Sequence, residues 1–159
     1  MNTLKLLKIG EKLPEFECQD QYGNIIKNTD YTSNTQNKKL VIFFYPRANT
    51  SGCTTEACNL SENYDSLQEK GYQVIGISAD TVNSQKFFSD KNKLKFPLLA
   101  DINKNIIDKF GVWGKKKLKD KEYEGIYRIS FIFDQYSTLT KIITKVDTKN
   151  HTKQILELE

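Results

Sequence analysis

The sequence predicts an α/β sandwich, a central mixed β-sheet flanked by helices, and three observations carry that reading. Two runs of apolar, branched and aromatic residues, at 40–45 and 72–78, have the continuous character of strands buried on both faces. Stretches with apolar residues three or four apart follow them, as amphipathic helices require. The chain then closes with two apolar runs, 126–134 and 139–146, joined by a polar turn at 135–138 and followed by a last helical stretch. A length of 159 residues with 38% hydrophobic content suits one core, so residues 1–159 are expected to form a single domain.

In chain order, residues 15–20 alternate apolar with polar, and Tyr22, Gly23 and Asn24 punctuate them before Ile25 and Ile26. This predicts a short N-terminal hairpin. The polar segment 28–39 reads as a loop. The run 40–45, ended by Pro46, reads as a buried central strand, and chemistry often sits where such strands end. From 54 to 70, Ala57, Leu60, Tyr64 and Leu67 recur at helical spacing, with Gly71 placed as a stop. A strand at 72–78, a helix at 82–92, a strand at 96–100 and a helix near 103–110 come next, Pro97 being a strand-start or edge residue. The strands 126–134 and 139–146 and an amphipathic helix at 149–158 complete the chain.

Composition narrows the function classes. The formal charge of +4 rests on heavy use of Lys, Arg occurring only at Arg47 and Arg128, and biases the protein mildly towards solubility and anionic partners. The lysine-rich run 115–121 has no aromatic interleaving and reads as a solvated loop, against a nucleic-acid-binding module. The N-terminal residues 1–16 lack the continuous apolar stretch of a signal peptide, and no apolar run reaches bilayer length. The expectation is a soluble cytoplasmic protein with no membrane and no nucleic-acid partner. Three cysteines without an export signal read as reduced thiols with a catalytic or redox-sensing role. The single histidine, His151, leaves little scope for a Cys-His or Ser-His-Asp scheme.

The informative stretch is PRANTSGCTTEAC, from Pro46 to Cys58. It sets Cys53 just after a turn and at the start of a helix, where unpaired N–H groups and the helix dipole favour an anionic sulfur. Ionising a thiol completely at neutral pH gains only about 30-fold, while nucleophilicity falls as the thiolate becomes more stable. Something must also act on the bond being broken. Thr50 can offer a hydroxyl from the same turn, and a guanidinium can offer several donors with positive charge. In a chain that meets most surface needs with Lys, Arg128 inside the apolar run 126–133 is a costly charge that calls for a task. Arg47, beside Pro46, is ambiguous between that role and the surface. Cys18, in phase with Phe16, reads as a small buried hydrophobe, and Trp113 as a packing residue that borders the site.

The spacing of Pro46, Thr50 and Cys53, with a later strand arginine, resembles the active-site signature of the peroxiredoxins. Cys58 five residues on, and the segment GVWG (111–114) leading to Tyr123, Gly125, Arg128 and Phe131, resemble more narrowly the bacterioferritin-comigratory, or Q-type, subfamily. The resemblance covers almost the whole chain. It implies a thioredoxin-like fold and a reduction of hydrogen peroxide and alkyl hydroperoxides, with no metal or organic cofactor, thioredoxin as reductant and a monomeric state. It also implies that Cys53 is the peroxidatic cysteine and Cys58 the resolving partner in an internal disulfide. Thr50 and Arg128 would hold peroxide and thiolate, and Pro46 would shield the sulfur from water. Two positions depart from the subfamily: Ser130 stands where Thr is more frequent, and Ser61 where an Arg is common, which puts helix-surface contacts in doubt. A thiol-disulfide oxidoreductase of the same fold would normally show the C-x-x-C spacing absent here, and the cysteines lack the paired short spacing of common zinc modules.

Overall fold

The protein is described as a computed structural model covering residues 4–32 and 38–157. The first residues of the N-terminal stretch, part of the polar segment 28–39 and the end of the helix expected at 149–158 lie outside the described residues. The elements are β1 (Glu17–Gln19), β2 (Ile25–Lys27), a 3₁₀ turn (Asn28–Tyr31), β3 (Lys39–Phe44), α1 (Ser51–Glu62), α2 (Tyr64–Glu69), β4 (Tyr72–Ser78), α3 (Val82–Asn92) and β5 (Leu98–Ala100). After these come α4 (Asn105–Phe110), β6 (Trp113–Leu118), β7 (Lys121–Ile126), β8 (Ile129–Phe133), β9 (Leu139–Ile143) and α5 (His151–Glu157).

The main sheet has five strands in the order β5-β4-β3-β8-β9. It is mixed: β3, β4 and β5 run parallel, while β8 lies antiparallel to β3 and β9 antiparallel to β8. The central strand β3 alternates between two cores, because successive side chains of a strand point to opposite faces. Leu40, Ile42 and Phe44 pack with Ile106, Ile107 and Phe110 of α4 and with Phe131. Val41, Phe43 and Tyr45 face Ala57 and Leu60 of α1, Leu67 of α2, Phe88 of α3 and Ile155 of α5. Helices therefore cover both faces, which is why β3 reads as an unbroken apolar run.

Four expectations are corrected. The helix expected over 54–70 is two helices: α1 begins at Ser51 with Thr50 as its N-cap, and Asn63 interrupts it. There the Asn63 side chain donates to the Asn59 carbonyl at 2.8 Å, a local bond that competes with helix continuation. The lysine run 115–121 is not a loop but the body of the β6–β7 hairpin, in which Lys115 faces Glu124 and Lys117 faces Glu122. Such opposite-charge pairs favour strand pairing without any apolar alternation. The strand expected over 126–134 divides, so Tyr127 and Arg128 lie between β7 and β8 rather than inside a strand. Finally, the polar segment 28–39 opens with the 3₁₀ turn, closed by Asp30, which accepts from the Lys27 N–H at 2.9 Å. Pro97 lies just before β5.

Candidate active site

Cys53 lies in the first turn of α1, reached from the end of β3 through a short loop, and is 1% exposed. A buried polar chain fixes that loop. The Tyr45 hydroxyl donates to Gln85 Oε1 at 2.5 Å, Gln85 Nε2 donates to Ser78 Oγ at 2.9 Å, and Ser78 Oγ donates to Asp80 Oδ2 at 2.6 Å. The same carboxylate oxygen accepts from the Ala48 N–H at 2.8 Å, pinning the loop between Pro46 and Thr50. Asn49 takes a left-handed conformation with φ +67°, which asparagine tolerates better than most residues. Thr50 donates its hydroxyl to the Arg47 carbonyl at 2.8 Å, leaving its oxygen able to accept from a ligand. Arg47 itself is exposed.

Arg128 reaches this helix start from the β7–β8 connection. Its Nη2 donates to Cys53 Sγ at 3.4 Å and its Nη1 donates to Glu56 Oε1 at 2.7 Å, so one planar guanidinium spans sulfur and carboxylate. Gly52 makes room for it: a Cβ at that position would lie 3.1 Å from Arg128 Nη2. Gly52→Ala is therefore expected to displace the guanidinium by a few tenths of an ångström and slow Cys53 oxidation by about tenfold, with the thermal midpoint nearly unchanged. Stopped-flow oxidation beside a thermal melt checks this.

Glu56 is wholly buried, and burial pushes its carboxyl up to about 7 against the opposing pull of Arg128. Beyond it lies His151 of α5, also wholly buried, with Nε2 3.6 Å from Glu56 Oε2 and 2.7 Å from Ser130 Oγ. Burial lowers the imidazole's affinity for a proton. Lys116 of β6 is close enough to feel Arg128 and Cys53, and burial, followed by Arg128, lowers its ammonium from the ordinary lysine value.

Cys58 sits on the same helix as Cys53 but faces away, its thiol 3.7 Å from Asn92 Oδ1 of α3. Asn92 Nδ2 donates to the Phe88 carbonyl at 2.9 Å, which turns its oxygen towards Cys58. Burial, with Glu62 nearby, raises the Cys58 thiol above its ordinary value, so it is a protonated donor in this arrangement. All three cysteines are free thiols. Cys18 is half-buried against the core around α4, and burial pushes its thiol up to about 11, the profile of an inert packing residue.

Of the residues singled out from sequence, the structure brings Cys53 and Arg128 into contact and sets Thr50 and Pro46 on the loop that leads to Cys53. It keeps Cys58 apart. Sequence reasoning missed Gly52, Glu56, His151 and Lys116 as members of the site. A cavity of about 390 Å³ opens beside it, lined by Pro46, Ala79, Trp113, Lys116, Tyr123 and Ile126 among others. The β6–β7 hairpin supplies much of its wall.

A cysteine at a helix start, contacted by an arginine from the β7–β8 connection, defines a thiol-based redox protein. The AhpC/TSA family model matches residues 9–142. Peroxiredoxin Bcp of Escherichia coli (strain K12) is 38% identical over 150 residues, covering 94% of this chain and 94% of the relative. Among solved structures, peroxidoxin BcpB from Mycobacterium tuberculosis superposes with a TM-score of 0.81 at 30% identity, covering 95% of each chain. The bacterioferritin comigratory protein of Xanthomonas campestris, studied for alkyl peroxide reduction, also gives 0.81, at 26% identity, covering 90% of this chain and 88% of that one. The chain belongs to the AhpC/TSA family, within it to the peroxiredoxins of the bacterioferritin-comigratory type.

Proposed function

We propose that this thiol-dependent peroxidase reduces hydrogen peroxide and alkyl hydroperoxides with Cys53 as nucleophile and Cys58 as resolving thiol, and that thioredoxin recycles it. The observation that carries the reading is the single guanidinium of Arg128 in contact with Cys53 Sγ, at a helix start and beside an open cavity. The Cys53 thiolate attacks the terminal peroxide oxygen, the O–O bond breaks, the sulfur becomes a sulfenic acid, and the departing alkoxide, or hydroxide from hydrogen peroxide, takes a proton from solvent to leave as an alcohol or water. Arg128 and the helix N–H groups supply donors where that negative charge moves from sulfur to oxygen. Thr50 Oγ accepts the peroxide's hydrogen, Pro46 shields the sulfur from water, and the cavity beside Pro46 admits the substituent of an organic hydroperoxide. The Cys53 sulfenic acid then condenses with the Cys58 thiol, releasing water and forming a disulfide. A reduced thioredoxin dithiol returns both cysteines to thiols. Among the described residues no helix is long and apolar enough to cross a membrane. We further propose that the protein acts in the cytoplasm, and that residues 1–159 form a single domain and act as a monomer.

The test is peroxide consumption coupled to thioredoxin, its reductase and a nicotinamide reductant. Turnover that needs every component is expected; oxidation of Cys53 without any thioredoxin-dependent turnover would replace thioredoxin by another thiol donor. Absence of peroxide-driven oxidation would remove the reading altogether.

Disulfide formation demands a conformational step. Both cysteines lie on the continuous helix α1, and five residues of regular helix set their Cα atoms roughly 8.7 Å apart, against a limit of about 7 Å for a disulfide. At least the first turn of α1 must unwind. That turn is weakly held, since Thr54 and Thr55 turn their hydroxyls back onto the carbonyls of Thr50 and Ser51 at 2.7 and 2.9 Å. Opening would also take Cys58 off Asn92 and into water, where its thiol ionises more readily. Amide hydrogen exchange over 54–60 is expected to be protected in the reduced protein and to lose at least about tenfold of that protection in the disulfide form. Equal protection in both would mean that Cys53 pairs with some other thiol.

A further inference from the structure

Glu56 Oε2 is a wholly buried carboxylate oxygen with no hydrogen-bond partner among the described residues. A buried acceptor left without a hydrogen is costly, and here the hydrogen count around it can be worked out. Gln154 Nε2 donates to the Lys145 carbonyl at 2.9 Å and Gln154 Oε1 accepts from the Asp147 N–H at 2.9 Å, so the orientation of this amide is fixed. His151 Nδ1, 2.7 Å from that same Oε1, must therefore carry a hydrogen. In a neutral ring Nε2 is then an acceptor, used by the Ser130 hydroxyl at 2.7 Å. Two acceptors, His151 Nε2 and Glu56 Oε2, would face one another 3.6 Å apart. One added proton, on either atom, supplies the missing hydrogen.

Charge gives the same count. The row runs from the buried Cys53 through the half-buried Arg128 to the buried Glu56 and His151. A thiolate, a guanidinium and a Glu56–His151 pair holding one extra proton sum to zero. When oxidation makes the sulfur neutral, the sum stays at zero only if the pair gives that proton up. Arg128 from the β7–β8 connection acts on both members of the pair and Asp147, from the segment before α5, on His151, while Cys53 of α1 reaches the pair through Arg128, which contacts its sulfur at 3.4 Å and which Lys116 of β6 also faces. Burial, which raises Glu56 and lowers His151, brings the two proton affinities together, the condition for sharing.

Resting on the peroxidase reading above, we propose that Glu56 and His151 share one buried proton whose retention depends on the charge of Cys53. His151 is thus a positioning residue: through Glu56 it holds Arg128 on the sulfur and keeps that guanidinium's charge free for the thiolate and the departing oxygen. As the pH rises and the pair loses its proton, a full carboxylate stands beside the site where the oxyanion develops, and oxidation slows. Asn59 secures the arrangement by tying α1 to α5, its side chain donating to the Lys149 carbonyl and accepting from the Thr152 N–H, each at 2.8 Å.

The protein has a single histidine, so its imidazole nitrogens give one unambiguous NMR signal set. In the reduced wild type the ring is expected to respond to a titration between about pH 5 and pH 9, its midpoint about one pH unit higher than in Cys53→Ser. Peroxide treatment of Cys58→Ser, which leaves Cys53 as a sulfenic acid, is expected to lower the midpoint in the same direction. The rate of Cys53 oxidation in the wild type is expected to fall about threefold or more across that midpoint, and Glu56→Gln to abolish this limb of the profile. His151→Gln, which keeps a hydrogen-bonding side chain but cannot titrate, is expected to abolish it too. Identical ring titrations with thiolate and serine at position 53 would overturn the proposal, as would a pH limb that survives Glu56→Gln. If peroxide fails to oxidise Cys53 at all, the peroxidase reading falls, while the comparison with Cys53→Ser still decides whether the proton is coupled to the sulfur.

Discussion

Cys53→Ser is expected to lose peroxide reduction completely, whereas Cys58→Ser is expected to consume one equivalent of peroxide per chain and then stop. The asymmetry follows from where the two sulfurs sit. Cys53 is buried at the helix start with Arg128 Nη2 3.4 Å away, while Cys58 meets Asn92 at 3.7 Å, with burial and the nearby Glu62 holding its thiol protonated. A serine hydroxyl at position 53 stays un-ionised near neutral pH, so neither Arg128 nor the helix dipole can make it a nucleophile. Serine at position 58 leaves the first oxidation intact and removes only the condensation that follows. Mass spectrometry with a sulfenic-acid trap, together with peroxide stoichiometry, reads both. Oxidation that persists in Cys53→Ser but fails in Cys58→Ser would exchange the two roles. Cys18 should be unlabelled throughout, being pushed up to about 11 by burial and remote in chain and charge from Arg128.

The sequence made this much of the site legible because the chemistry there is written in residue types that are expensive elsewhere. A cysteine at a helix start, and one of only two arginines placed beside an apolar strand, stand out against a lysine-rich background. The sheet was legible for a related reason. Strands β3 and β4 are largely buried on both faces and so are mostly apolar, and β4 and α3 begin and end where the pattern says. Where elements are held by polar contacts the pattern fails. The β6–β7 hairpin pairs Lys with Glu across its strands, and no apolar period marks it. Its error had a cost for the site, since Lys116, Tyr123 and Trp113 line the cavity beside Pro46 only because those strands pair. The break at Asn63 rests on one side-chain bond, invisible to helical spacing. Nothing in the local sequence pattern marked Glu56 or His151 as buried. Their burial depends on α5 docking onto α1, a contact between residues about a hundred positions apart that no local pattern encodes. Even Ser130, noted only as a departure from its subfamily, proves to be the hydroxyl that meets His151.

Arg128→Lys is expected to slow Cys53 oxidation by about a hundredfold or more although the charge is kept, because a loss of roughly 3 kcal/mol of transition-state stabilisation is typical when an oxyanion donor is removed. The guanidinium holds Glu56 Oε1 at 2.7 Å with one nitrogen and reaches Cys53 Sγ at 3.4 Å with the other, so its plane is set by the carboxylate while its free edge serves the sulfur. An ammonium is a point charge on a flexible stem, and the nearest strong partner is the buried carboxylate. Lysine at position 128 would settle on Glu56, leaving the sulfur and the departing oxygen without a fixed donor. The predicted signature is a fall in the rate of oxidation larger than any fall in thiolate content, because Cys53 keeps the N–H groups of its helix start. Stopped-flow oxidation, compared at pH values that equalise the thiolate fraction measured by ultraviolet absorbance, separates the two effects. A variant within about threefold of the wild type would remove Arg128 from the chemical step and leave it as the partner of Glu56 alone.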